Sequence, residues 1–324
     1  MGISMAILGV PGVGPGAGGG WTVSVTAFTQ ALVGELITNG NMETGDPPTG
    51  WLAGAHAALS SAADERTGGA GSASMDVLEG VSGTSNYAQY NLTGLTGGHW
   101  YLGTLWLRNV DTALGCYLQW TDDVNIAAPS TPITGTGWVP VYVIRRLPGV
   151  RTTAFFRGRA SGDLNQSFRM DDASCSALTL NAHQTMPSAD MQVETDVTLP
   201  ASPFYNSQFN LYYRITGTLE SADQFWRARL VRSAANTTWD MTLYLINGAT
   251  ETSKLSIADV GTADGLRVIC IGDEHRVYTR ESAVWTQRGA PITDATYNDQ
   301  KGVNTVYTPD VTLTALRGSQ PSPF

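Results

Sequence analysis

The stretch HWYLGTLWLRN at residues 99–109 decides the fold class. At the two-residue period of a β-strand, Tyr101, Gly103, Leu105 and Leu107 share one face. Leu102, Thr104, Trp106 and Arg108 share the other. The first set suits a core. The second mixes apolar, hydroxyl and cationic groups and suits a surface or an interface. Outward from here the same alternation recurs in short runs broken by Gly, Asn, Asp and Pro, which predicts strands at 54–62, 73–79, 86–92, 99–109, 114–121, 138–146, 152–159 and 167–180. A second series is predicted at 190–199, 208–217, 225–233, 238–247, 250–257, 265–272, 274–281, 283–288 and 310–317, with a tight turn at Asp273-Glu274. No long amphipathic helix interrupts either series, so the chain reads as all-β, with sandwich or jelly-roll domains in tandem.

The domain boundaries follow from the breaks. Residues 1–20 are a Gly/Pro-rich arm, flexible backbone that is ordered only where something else holds it, above all a neighbouring subunit. Residues 21–36 read as a strap, whose second half places Phe28, Leu32 and Leu36 at helical spacing and predicts a short helix. Residues 37–182 form the first β domain. A seam containing His183 and Pro187 leads into the second, residues 183–324.

Composition narrows the function. The chain has 324 residues, 36 of them Gly, and only 15% are charged. Lys254 and Lys301 are its only lysines. Thr, Ser, Ala and Asn take the remaining polar positions, as on exposed sheets. The net charge of −9 and pI near 4.8 argue against a partner bound through nucleic-acid phosphates. The local exceptions are Arg145-Arg146 and the group Arg151, Arg157 and Arg159, which read as solvated strand faces. The odd count of three cysteines, Cys116, Cys175 and Cys270, excludes a disulfide framework and a CxxC metal site. Three buried thiols are expected. No segment is long and apolar enough to span a bilayer, and the N-terminus lacks a basic n-region, so neither a membrane anchor nor an export signal is expected.

Three stretches of the first domain, in order, carry a resemblance: LITNGNMETGDPPTGW (36–51), NLTGLTGGHWYLGTLWLRN (91–109) and SFRMDDASCSALTL (167–180). They resemble the first strand, the Gly-turn-plus-strand and the last strand of the galactose-binding-like jelly roll of carbohydrate-binding modules of the family 4/9/22 group. The resemblance implies a structural Ca²⁺ held by Glu43 with Asp171 or Asp172, completed by carbonyls near Asn41 and residues 64–76. Hard cations take several oxygens, and adjacent acids repel one another unless a cation intervenes. Otherwise these acids cap turns and face water. It also implies a glycan face, for which Trp106, Arg108, Tyr117, Gln119 and Arg157 are the candidates. The competing reading makes the aromatics packing residues, or surface covered by a neighbouring protein.

The second domain resembles a concanavalin-like (laminin-G-like) jelly roll in DMQVETDVTL, FNLYYRIT, GLRVICIGDEHRVYTRE and DVTLTAL. Some glycoside hydrolases of that fold carry Glu-x-Asp-x-x-Glu on one strand. Here Glu194 and Asp196 begin the pattern, but Thr198 and Leu199 stand where the second Glu is needed, so the paired carboxylates of glycoside hydrolysis are incomplete. No GxSxG, HExxH or P-loop is present, and His56, His99, His183 and His275 are scattered. No enzyme is expected.

Two such jelly rolls without an export signal fit a virion component, made inside the cell and released by lysis. The domains resemble those appended to phage tail, fibre and capsid-decoration proteins. The expectation is a non-enzymatic protein of the virion surface, homo-oligomeric, docked on other virion subunits through its arm. Its jelly rolls would touch host or environmental glycans weakly, with many copies supplying avidity. The alternative is a bacterial cell-surface or secreted carbohydrate-binding protein, located outside the cell.

Overall fold

The computed structural model describes residues 22–25, 30–63, 73–79, 87–110, 115–121, 132–147, 149, 151–160, 167–180, 184–198, 207–217, 219, 224–232, 238–248 and 250–321. Two strands come first, β1 (Thr22–Val25) and β2 (Gln30–Glu35). Then follow β3 (Trp51–Ala53), β4 (Ala57–Ala62), β5 (Ser74–Glu79), β6 (Tyr87–Leu92), β7 (Trp100–Asn109), β8 (Cys116–Thr121), β9 (Val139–Arg146), β10 (Ala154–Ala160) and β11 (Ser167–Leu180). The second half holds β12 (Gln184–Thr185), β13 (Met191–Thr198), β14 (Gln208–Ile215), β15 (Gln224–Arg232), β16 (Trp239–Asn247) and β17 (Thr250–Ile257). It ends with β18 (Gly265–Ile271), β19 (Glu274–Glu281), β20 (Val284–Gln287), β21 (Ile292–Thr293), β22 (Gly302–Tyr307) and β23 (Thr312–Ser319). The described residues contain no helix, and none that could cross a membrane.

These strands make two jelly-roll β-sandwiches. The first packs the sheet β3-β6-β10-β8 against β4-β5-β11-β7-β9, with β2 added alongside β11. The second packs β12-β22-β14-β15-β16-β17 against β1-β23-β13-β18-β19-β20, with β21 on β19. The alternation read in residues 99–109 holds: Tyr101, Leu105 and Leu107 lie in the first core with Trp51, Trp120 and Phe156. Gly103 sits directly beneath Phe156 of the facing sheet. A Cβ there would stand 2.6 Å from Phe156 and 2.9 Å from Val143, so any side chain would push the layers apart.

The opposite face of β7 is not a free surface at its start. Trp100, Leu102 and Leu178 meet Tyr212, Phe225, Ile246 and Val306 of the second sandwich in a separate buried cluster. The Trp100 and Tyr212 rings cross edge to face at 5.3 Å. The four sheets are therefore layered, with the middle two back to back.

The strap departs from its expected helix. Phe28 lies outside the described residues, Leu36 packs on the first core, and Leu32 is half exposed on a strand. The reason is local. Gly34, at φ 68°, is the extra residue of a β-bulge opposite Ser176-Ala177, a conformation that glycine adopts without penalty and a helix does not use. β1 pairs with β23 of the second sandwich, and β2 pairs with β11 of the first. The Gln30 amide joins them further: Nε2 donates to the Tyr307 carbonyl at 2.5 Å, and Tyr307 N–H donates back to Oε1 at 3.2 Å.

All three cysteines are free and buried, as expected. Burial pushes the Cys270 thiol up to about 12 and holds Cys116 and Cys175 higher than an ordinary thiol, so none is a nucleophile at neutral pH.

Candidate functional site

The outward face of β3-β6-β10-β8 gathers the chemistry that the sequence distributes over three segments. Inward go Trp51, Ala88, Leu92, Leu118, Trp120, Ala154, Phe156 and Ala160. Outward, the register aligns Leu52, Gln89, Arg157 and Gln119 in one row across four strands. Tyr87, Arg159 and Tyr117 form the row on one side, and Asn91, Phe155 and Thr121 the row on the other. Gly158 lies beneath the face. A Cβ there would meet the Met170 sulfur at 3.0 Å and Phe168 at 3.1 Å, so its lack of a side chain keeps β10 flat on the core.

The central side chains are held in place. Arg157 Nε donates to Gln89 Oε1 at 2.6 Å, and Gln89 Nε2 donates to Asn91 Oδ1 at 2.6 Å. The Arg157 guanidinium lies 4.3 Å from the centre of the Tyr87 ring and 5.2 Å from that of Phe155. Burial lowers the proton affinity of Arg157, Tyr87 opposes this, and Arg159 adds to the lowering. Burial likewise raises the Tyr117 hydroxyl, against the pull of Arg159. Gln119 is only 2% exposed, and its Oε1 has no hydrogen-bond partner among the described residues. A buried acceptor left so costs about 1–3 kcal/mol, an expense that a bound hydroxyl would relieve. Aromatic rings, amides and a fixed guanidinium on one sheet face can stack on a pyranose and bond its hydroxyls.

The structure brings together three of the five sequence candidates, Tyr117, Gln119 and Arg157, and separates the other two. Trp106 and Arg108 lie on β7, in the other sheet of the sandwich, so the single face expected for all five does not form. Trp106 lies opposite Pro140 and Asp171, and Arg108 Nε donates to the Thr136 carbonyl at 2.9 Å. Two faces on opposite sides of one core cannot share a ligand. Tyr87, Gln89, Asn91 and Phe155 were missed. Their signal was present, since the expected strands 86–92 and 152–159 alternate correctly, but the pairing of Gln89 with Arg157 spans 68 residues.

The acids assigned to calcium have local partners. Glu43 Oε1 accepts from Ala73 N–H at 2.7 Å, and Asp171 Oδ1 from Asp172 N–H at 2.7 Å. Asp171 and Asp172 begin a bulge opposite β7, with Asp172 at φ 43°. Gly40 packs on that bulge so closely that a Cβ would stand 1.9 Å from the Ala173 carbonyl oxygen. Among the described residues no three His, Cys, Asp or Glu side chains come together, so these donors alone do not make the six-to-eight-oxygen shell of Ca²⁺. Residues 64–72, assigned to complete it, lie outside the described residues. The acid that does tie the early chain to β11 is Glu35. Its Oε1 accepts from Cys175 N–H at 2.8 Å and Ile37 N–H at 2.9 Å, and its Oε2 from Ser174 Oγ at 2.5 Å.

In the second sandwich, Glu194 pairs with Arg267 at 2.6 Å, and Asp196 with Arg280 at 2.6 Å and with Arg317. Burial works to raise Asp196, but hydrogen bonds from Arg317 and Arg280 outweigh it and hold the carboxyl low. A carboxylate kept ionised in this way is ill suited to donate a proton to a leaving group. His275 is fully buried rather than on the surface, with Tyr213 Oη and Arg214 Nη1 each 3.2 Å from its ring nitrogens.

No family profile and no curated protein matches the chain. Among solved structures, it is similar at 9% identity to the CBM2 module of the evolved Dit of Lactobacillus casei BL23 phage J-1, covering 47% of this chain and 72% of that one, with a TM-score of 0.33. It is also similar, again at 9% identity, to the GH43 protein BlXynB of Bacillus licheniformis, covering 77% of this chain and 63% of that one, with a TM-score of 0.30.

Proposed function

We propose that this is a non-enzymatic glycan-binding protein, displayed on a virion, that holds saccharides on the outward face of β3-β6-β10-β8. The observation that carries the reading is Gln119, buried with an unpartnered Oε1 directly across from Arg157. Tyr87, Tyr117 and Phe155 supply rings around the pair. Each copy binds weakly and adhesion depends on many copies. The virion setting is argued from the Gly/Pro-rich residues 1–20, read as the arm that docks each copy beside others on the particle. A cell-surface or secreted protein would use the same face.

A glycan array with the full chain tests the binding. Retention of at least one glycan, lost in both Tyr117→Ala and Gln119→Ala, is expected. An array without signal at millimolar-range sensitivity, or binding indifferent to both substitutions, refutes the site. Immunogold labelling of phage particles tests the location.

A further inference from the structure

We infer that the saccharide taken by this face carries a carboxylate, as a hexuronic acid does, and that the carboxylate sits on Arg157. The inference rests on the glycan-binding reading above and names its ligand class. The first observation is charge. The nine positions Tyr87, Gln89, Asn91, Tyr117, Gln119, Thr121, Phe155, Arg157 and Arg159 include two arginines and no acid. The chain as a whole has 28 Asp and Glu against 19 Lys and Arg. Several arginines elsewhere are matched with acids: Arg169 with Asp76, Arg227 with Glu251, Arg267 with Glu194, and Arg280 with Asp196 and Asp264. Among the described residues Arg157 has no carboxylate partner, and its one side-chain hydrogen bond is the Nε bond to Gln89.

The second observation is geometry. With Nε committed, Nη1 and Nη2 remain as a planar fork, held between the Tyr87 and Phe155 rings. A fork of two parallel N–H groups fits a carboxylate end on, and its immobilisation precedes binding. Arg159, two residues along the same strand face, adds positive potential. Gln119 lies opposite Arg157 in register, at the ~5 Å spacing of a cross-strand pair. A pyranose can place its carboxylate on the Arg157 fork with its ring beside Tyr87 or Phe155, the two rings that flank the guanidinium.

The test is calorimetric titration of the full chain with oligogalacturonate and with the same oligomer carboxyl-reduced to neutral galactose units. The acidic probe is expected to bind at least about tenfold tighter than the neutral one and to weaken as salt rises. Arg157→Gln should erase that preference, and Arg157→Lys should keep the salt dependence while losing most of the affinity. Equal binding of both probes, or a preference that survives Arg157→Gln, overturns the inference. If the neutral probe binds through Tyr117 and Gln119 while the acidic one does not, glycan binding stands and the carboxylate assignment falls. If neither binds, both fall.

Discussion

His275 makes the second sandwich acid-sensitive well above the range where carboxylates titrate. Its ring packs 4.1 Å from that of Trp226, with Cys270 Sγ 3.7 Å from Nδ1. The charged Arg214 guanidinium beside Nε2 disfavours a protonated ring, while the Asp294 carbonyl, also 3.2 Å from Nε2, opposes that effect. Burial, followed by the charge of Arg214, pushes His275 down to about 4. In the unfolded chain it titrates near 6.5. Below about pH 6.5 the unfolded state takes up a proton that the folded state refuses, so stability present above that pH is lost progressively and the loss ends near pH 4. A difference of about 2.5 pK units at 1.36 kcal/mol each gives a loss of about 3 kcal/mol. Urea unfolding followed by tryptophan fluorescence at pH 7.5, 6, 5 and 4.2 measures it. His275→Gln keeps a polar planar group but cannot titrate, so its stability should fall less across the same window, by about the same 3 kcal/mol. The depressed carboxyls Asp196 and Asp294, the latter down to about 2 beside Lys254, lose their contribution only at lower pH and do not contaminate the comparison. Parallel pH profiles for the two proteins would refute the reasoning.

Trp100→Ala should destabilise the interface between the sandwiches by about 3–5 kcal/mol, because Trp100 is buried against Tyr212. Scanning calorimetry should then resolve two transitions where the wild type shows one, and a single unshifted transition would count against a shared core. For calcium at Glu43, Asp171 and Asp172, the expected result is a melting temperature raised by CaCl₂ but not by MgCl₂, with the rise absent in Asp171→Asn. Identical melting in CaCl₂ and EGTA ends that assignment.

Much of the fold was legible because most strands carry a face that faces water. β7, β10 and β13 alternate plainly, and the expected strands coincide with them to within a few residues. β22 was missed for the converse reason. Gly302-Val-Asn-Thr-Val-Tyr is central in its sheet and buried on both faces, so Asn304 and Thr305 sit inside and the alternation vanishes. His275 was misread because Glu274 and Arg276 beside it point outward. Its phase with Val277 and Thr279, both buried, was the available signal. Asn39-Gly40 was read correctly as a turn, but not why it is there. The Asn39 amide bonds both N–H and C=O of Thr44, closing the loop that Gly40 presses onto the β11 bulge.

The candidate site shows a different limit. The alternation of the first domain furnishes two outward faces, one around Leu102 and Trp106, the other around Gln119 and Arg157, and both mix aromatic with polar residues. Nothing local separates them. The second sandwich does, by burying Trp100, Leu102 and Leu178 under Tyr212 and Phe225. At that end of the sheet Trp100 packs under the second sandwich, while the candidate Trp106, further along β7, is not part of that cluster. On the other sheet the central row changes character, its apolar positions giving way to Gln89, Arg157 and Gln119, with Gln89 and Gln119 themselves buried.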